Sequence, residues 1–306
     1  MWPLYLAGLL VAPGLLAQDR PVFHADVTLV TVPVLVTDAR GIPVRDLEAS
    51  EFHLYDNGVP SEIRHLSLED ELPLALGIVI DISASQRAFL REHRTTVDAF
   101  LTRLLRPGDR AFIVTANEDV VLQSEFIGRP SGPSQILVAR GGEPLGAPCS
   151  TLSGRHLCGG TALWNAVYAT AHLKLSPFTG TKALLILSDG NDTGSIHHLD
   201  QALEEVHRAG ALVYAIRYPD PLSQSAGDGL ARLAAETGGA ELAPPAGDYN
   251  AAFDRIDRIE RDLRSQYVLA FRPETGGDPA HRLRVEVSRP GLSVRSRLQY
   301  FLPSAQ

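Results

Sequence analysis

Residues 73–85 read PLALGIVIDISAS. As far as Ile80 the run is almost wholly apolar, the pattern of a strand buried on both faces of a parallel sheet. Asp81, Ser83 and Ser85 then place oxygen-bearing side chains where that strand ends. Downstream, residues 86–105 carry a helical pattern, Pro107-Gly108-Asp109 a turn, and 110–115 (RAFIVT) a second strand. Residues 120–126 read as a short edge strand. Residues 127–160 are rich in Gly, Pro and Ser, with at most one short helix at 135–140; a loop of that length inside a domain is usually functional or mobile. Helical patterns at 162–173, 199–209, 229–237 and 251–264 alternate with strands at 183–188 (ALLILS), 211–216 (ALVYAI) and, more weakly, 240–243. Such alternation implies right-handed β-α-β crossovers. The expected class is α/β, with a doubly wound, mostly parallel sheet.

Both ends of the chain read differently. Residues 24–37 (HADVTLVTVPVLVT) alternate as a strand does. Residues 51–55 and 62–66 suggest two strands joined through Asp56-Asn57-Gly58, because Asn-Gly tolerates positive φ. After residue 265, strands are expected at 267–271, 282–288 and 293–300. Neither end holds enough strands to stand alone. The simplest organisation pairs 24–68 with 267–303 in one small sandwich-like β domain, with an α/β domain at 73–266 between them. Two independent caps are the alternative. Arg282, Arg284, Arg289, Arg295 and Arg297 alternate along the last strands and read as an outward face that discourages edge pairing.

Composition sets limits. The 306 residues are 44% hydrophobic and 21% charged, as in a folded chain rather than a disordered one. A net charge of −8 argues against non-specific nucleic-acid binding. Residues 1–17 (MWPLYLAGLLVAPGLLA) are apolar and uncharged, end in a small residue, and are interrupted by Pro13 and Gly14. They are short for a bilayer span and fit a signal peptide cut near Ala17, so the expected location is secreted or periplasmic, with no transmembrane span. A buried first strand or helix is the other reading. The two cysteines, Cys149 and Cys158, are too few for a zinc finger and can form one disulfide, which suits an exported chain. In the chain-entropy account, closing so short a loop contributes about 3 kcal/mol. Its use would be to restrain the segment before Thr161; two free thiols are the alternative.

In open α/β sheets, ligands bind at the carboxyl ends of the strands. Three such ends carry oxygen side chains: Asp81-Ile82-Ser83-Ala84-Ser85, Gly159-Gly160-Thr161, and Ser188-Asp189-Gly190-Asn191-Asp192. Each taken alone is explained by helix capping or a turn. Together they supply two carboxylates and three hydroxyls, hard ligands suited to Mg²⁺, Mn²⁺ or Ca²⁺ and not to zinc. A cation held largely by neutral hydroxyls keeps uncompensated charge and would attract an Asp or Glu carboxylate from a protein partner.

These residues resemble a von Willebrand factor type A domain with a metal-ion-dependent adhesion site. The family's pattern is Asp-x-Ser-x-Ser, a distant Thr, and Asp in a Ser-Asp-Gly context, which Asp81, Ser83, Ser85, Thr161 and Asp189 match in full. The resemblance covers about residues 73–266, and the flanks are similar to those of a bacterial exported subgroup. It implies that Ser83 and Ser85 touch the metal directly. Thr161 would do so directly or through water, and Asp81 and Asp189 mainly through waters. It also implies a binding module and not an enzyme. Two other classes remain: a phosphoester hydrolase using Asp81 as nucleophile beside Asp189, and a scaffold whose motif residues only cap helices. The hydrolase lacks an acid at Ser83 and a well-placed lysine, since the chain has only Lys174 and Lys182. His197-His198 reads as a solvated helix start, and Trp164 as core.

Overall fold

The computed structural model describes residues 29–69, 72–130, 150–152, 155–157, 160–218, 227–242, 249–274 and 277–302. The chain opens with strands β1 (Val30–Thr37), β2 (Phe52–Asp56), β3 (Val59–Ser61) and β4 (Ile63–Glu69). It then enters the α/β unit with β5 (Leu74–Asp81), α1 (Leu90–Ala99), β6 (Arg110–Ala116) and β7 (Val120–Ile127). A two-stranded hairpin, β8 (Ser150–Leu152) and β9 (Arg155–Leu157), precedes α2 (Leu163–Ala169) and β10 (Thr181–Ser188). Next come α3 (Leu199–Ala209), β11 (Leu212–Arg217), α4 (Gly229–Thr237), β12 (Ala240–Leu242) and α5 (Tyr249–Arg264). Strands β13 (Gln266–Phe271), β14 (Ala280–Val287), β15 (Ser293–Ser296) and β16 (Gln299–Phe301) finish the chain. The short helix expected at 135–140, the cysteines and residues 1–17 lie outside the described residues.

The central sheet has the order β12-β11-β10-β5-β6-β7, parallel except for β7 at its edge. Every residue of β5 is buried, as its unbroken apolar run requires. One face packs Leu76, Ile78 and Ile80 against Phe100 and Leu104 after α1 and against Ile256 and Ile259 of α5. The other packs Ala75 and Val79 against Trp164 and Val167 of α2, Val206 of α3 and Leu233 of α4. Gly77 is one point of close approach in this packing. A Cβ there would meet Thr170 Cγ2 at 2.8 Å and Phe112 Cζ at 2.9 Å.

Strands from the two chain ends build a β-sandwich. One sheet runs β15-β1-β13-β4, the other β16-β14-β2-β3, and Val32, Val34, Phe52, Leu54, Tyr267, Leu269 and Leu283 fill the space between them. A buried polar lock joins β2, β14 and β16: Asp56 accepts from Tyr300 Oη at 2.7 Å and sits 2.8 Å from His281 Nδ1.

Three expectations need correction. The Asn57-Gly58 turn, with φ of 50° and 83°, pairs β2 with residues 59–61 and not with 62–66. Strand β4 instead crosses to the other sheet and pairs with β13. Residues 293–300 are not one strand, because the chain changes sheets at Arg297-Leu298, where Leu298 N–H donates to Glu236 O. The C-terminal arginines do not form one outward face. Arg282 and Arg284 are exposed, but Arg289 pairs with Asp46 and Glu51, Arg295 reaches Asp262 and Gly239 O, and Arg297 turns inward to Thr31 O.

The junction below the sheet is fixed by Asp109. Its carboxylate accepts from Leu74 N at 2.8 Å and Arg106 N at 2.7 Å, and it pairs with the buried guanidinium of Arg264. Removing one partner of a buried pair leaves an uncompensated charge. Asp109→Ala is expected to cost about 3–5 kcal/mol in urea unfolding; a loss under about 1 kcal/mol would show that Arg264 relaxes to solvent.

Candidate functional site

The register of β5 against β10 positions the site. Ile80 lies opposite Leu187, so Asp81 and Ser188 end their strands side by side. The Ser188 hydroxyl donates to Asp81 Oδ2 at 2.6 Å, and Ser83 N donates to Asp81 Oδ1 at 2.9 Å. Asp81 is therefore fully buried with both oxygens engaged. Asp189, one residue past β10, accepts from Asn191 N at 2.8 Å on Oδ1 and from the Ser85 hydroxyl at 2.6 Å on Oδ2. Ser83 Oγ and Ser85 Oγ stand 3.1 Å apart. Four of the five expected residues thus form one hydrogen-bonded cluster.

Thr161 arrives from a different direction. Its N–H donates to Thr193 Oγ1 at 3.0 Å, and its carbonyl accepts from Thr193 N and Gly194 N, both at 3.0 Å. The neighbouring Ala162 N–H donates to Asn117 O at 2.7 Å. The loop before α2 is thereby clamped between the end of β6 and the chain following Asp189. These contacts hold the Thr161 backbone.

Helix capping can be examined directly. Ser83 stands at the N-cap of the 3₁₀ turn Ala84–Phe89, yet its side chain makes no capping hydrogen bond. The free amides of α2 are taken by other residues: Trp164 N donates to Asp192 Oδ1 at 3.2 Å, and Asn165 N to Ser195 Oγ at 3.0 Å. The hydroxyls of Ser83 and Ser85 are left for each other and for Asp189. The carboxylates do brace their own turns, each through one oxygen.

The cluster carries a negative potential. Burial, with a smaller push from the Asp189 charge, raises the Asp81 carboxyl to about 6 against hydrogen bonds from Ser188 and Ser83 that oppose it. Arg217 approaches from β11, but its Nη1 donates to the Asp189 carbonyl at 3.2 Å, and its charge is matched by Glu241, with Nε–Oε1 2.5 Å. Gln86 anchors the 3₁₀ turn through a 3.1 Å bond to Tyr218 O. Among the described residues no three His, Cys, Asp or Glu side chains converge on one point. The donor set is two carboxylates and neutral hydroxyls, which fits a hard divalent cation. His197 does not join it: its ring stacks on Tyr168 at 3.9 Å.

Ser188, Thr193, Asp192 and Asn117 are supporting residues whose roles sequence reasoning left unassigned. Ser188 precedes Asp189 directly, whereas Asp192 and Ser195 serve amides of α2, far from them in sequence, and have no local signal. The bond from Thr193 across to Thr161 has no sequence signature.

No protein-family model matches the chain, and no curated protein matches it. Among solved structures it is similar to the conserved hypothetical protein BatB from Bacteroides thetaiotaomicron, at 16% identity and a TM-score of 0.45, over 63% of this chain and 100% of that one. It is also similar to von Willebrand factor type A from Catenulispora acidiphila, at 11% identity and 0.44, over 92% of this chain and 76% of that one. A third is proximal thread matrix protein 1 from the mussel byssus, with its MIDAS motif occupied by zinc, at 12% identity and 0.44, over 69% of this chain and 50% of that one. The chain thus spans half the length of the mussel protein. Similarity at this level assigns no role to any residue of this chain.

The Asp81 environment gives a signed expectation in the absence of metal. The folded chain holds its proton up to about pH 6, whereas the unfolded value is 3.8. Ionising Asp81 therefore costs nothing below the lower value and its full penalty above the higher one, so this residue's contribution falls as pH rises between them. In EDTA, Asp81→Asn is expected to gain on the wild type over that window, reaching about 3 kcal/mol near neutral pH. A difference independent of pH, measured by urea unfolding, would mean that Asp81 ionises without penalty.

Proposed function

We propose that the chain is an exported, divalent-cation-dependent protein-binding module whose docking post is the cluster at the carboxyl ends of β5 and β10. Asp81, Ser83, Ser85, Thr161 and Asp189 would hold the ion, with Mg²⁺, Mn²⁺ or Ca²⁺ as candidates. When bound, the ion supplies a Lewis-acid seat for a carboxylate oxygen of the partner's Asp or Glu. The observation that carries this reading is the hydroxyl pair of Ser83 and Ser85, which caps no helix and instead faces Asp189 Oδ2 at 2.6 Å from Ser85.

The residues divide the work. Asp81 is buried and doubly hydrogen-bonded, so it positions the Ser83 turn and supplies negative potential. The same burial argues against Asp81 as a hydrolytic nucleophile, which needs a free lone pair aimed at substrate. Ser85 and Asp189 hold each other in place, so the oxygen atoms are preorganised and little ordering is left to binding. Residues 1–17, read as a signal peptide, support a place outside the cytoplasm.

Mg²⁺ or Mn²⁺ is expected to raise the melting temperature of the wild type by mass action, and Ser83→Ala and Asp189→Ala are expected to abolish the rise. A pull-down from the native envelope or secretome should retain partners with wild type, lose them with EDTA, and fail with Asp189→Ala. Absence of any cation response in the wild type would favour a scaffold. Turnover of a phosphoester that disappears in Asp81→Asn would favour a hydrolase. Under non-reducing conditions, mass spectrometry of the exported protein should find one Cys149–Cys158 bridge; two alkylatable thiols would remove it.

A further inference from the structure

At the opposite end of the parallel sheet from Asp81, a cavity of about 450 Å³ lies between the α/β unit and the β-sandwich. Its walls come from the starts of β10 and β11 on one side and from β1 and β13 on the other. Phe178, Leu212, Leu263 and Val268 make it largely apolar, and Lys182, Arg208 and Arg297 give it positive charge.

The arginines at this junction do not behave alike. Arg264 ends on Asp109, Arg295 on Asp262, Arg289 on Asp46 and Glu51, and Arg208 on Glu204 and Glu205. Arg297 ends on no carboxylate among the described residues. Its Nη2 donates to the Thr31 carbonyl at 2.6 Å, its Nε is shut off from solvent with no acceptor, and its guanidinium lies 5.7 Å from the Tyr300 ring centroid. Among the described residues Lys182 donates to the carbonyls of Ala209 and Ser176, at 2.8 and 3.3 Å. Burial and the Arg297 charge lower the Lys182 pKa, and burial lowers Arg297 to about 10. Nearby His207 is kept neutral, pushed down to about 4 by burial and by Arg297, and among the described residues neither ring nitrogen has a partner. Lys182 and Arg297 are partly buried, line the same cavity, and among the described residues meet carbonyl oxygens rather than carboxylates. Two such charges facing one open cavity are suited to an anion from outside.

We propose that this junction cavity binds a small organic anion, its oxyanionic head between Arg297 and Lys182 and its apolar body against Phe178, Leu263 and Val268. The volume lies within the range of small-molecule sites. The head could be a carboxylate or a phosphate monoester, since both offer paired oxygens to a guanidinium. The site is separate from the cation cluster and bridges the two units, so its occupant would stabilise their mutual placement.

The full-length chain in EDTA, at fixed ionic strength, can be melted against octanoate, phenyl phosphate and sodium chloride. The expected result is a concentration-dependent rise with octanoate or phenyl phosphate beyond that of chloride, and whichever raises it more identifies the head. Arg297→Gln should weaken the binding about tenfold or more, as loss of a charge-assisted bond implies. Lys182→Gln should weaken it similarly, and provides the test if Arg297→Gln does not fold. Asp189→Ala should leave the response intact. No rise beyond chloride with either anion, or an undiminished rise in a folded Arg297→Gln or Lys182→Gln variant, would overturn the proposal.

Discussion

The site depends on one register. Because Ile80 pairs with Leu187, the carboxylate that ends β5 falls beside the hydroxyl that ends β10, and Ser188 can bond Asp81. A slip of one residue would turn every β10 side chain to the other face and separate the two. The register is held by burial: both strands are apolar on both faces, and helices of different sizes cover each side. Core packing and site chemistry are thus a single constraint.

That constraint creates electrostatic tension. Two carboxylates end adjacent buried strands, and the cations nearby are spoken for, Arg217 by Glu241 above all. On the proposed reading, a bound cation would relieve that charge. The junction cavity lies at the other end of the same strands and is lined by Lys182 and Arg297, which among the described residues meet no carboxylate.

Much of the α/β unit was legible in the sequence, because a strand buried on both faces and an amphipathic helix have distinct periods; 199–209 and 229–237 match α3 and α4. Asp81, Ser83, Ser85 and Asp189 were legible because they follow such strands directly. The sandwich was harder. Short strands alternate identically whichever sheet receives them, so nothing local in 62–66 distinguishes a hairpin partner from a strand that crosses over. The break at Arg297-Leu298 depends on Glu236, far away in sequence. Arginine also hides its role, since its long stem lets the same alternating pattern face solvent at Arg284 and turn inward at Arg297.

The way the α/β unit is mounted has a mechanical consequence. Strand β4 leads into it and β13 leads out, and the two lie side by side, with Gln266 opposite Glu69. A pull on the face that bears Asp189 would draw both tethers in one direction, as a hairpin is drawn. With the chain before Val30 as the opposing anchor, the load would fall on the antiparallel ladder of β13 with β1, stressed lengthwise so that its bonds must fail together instead of unzipping singly. A molecule hung this way is braced for tension.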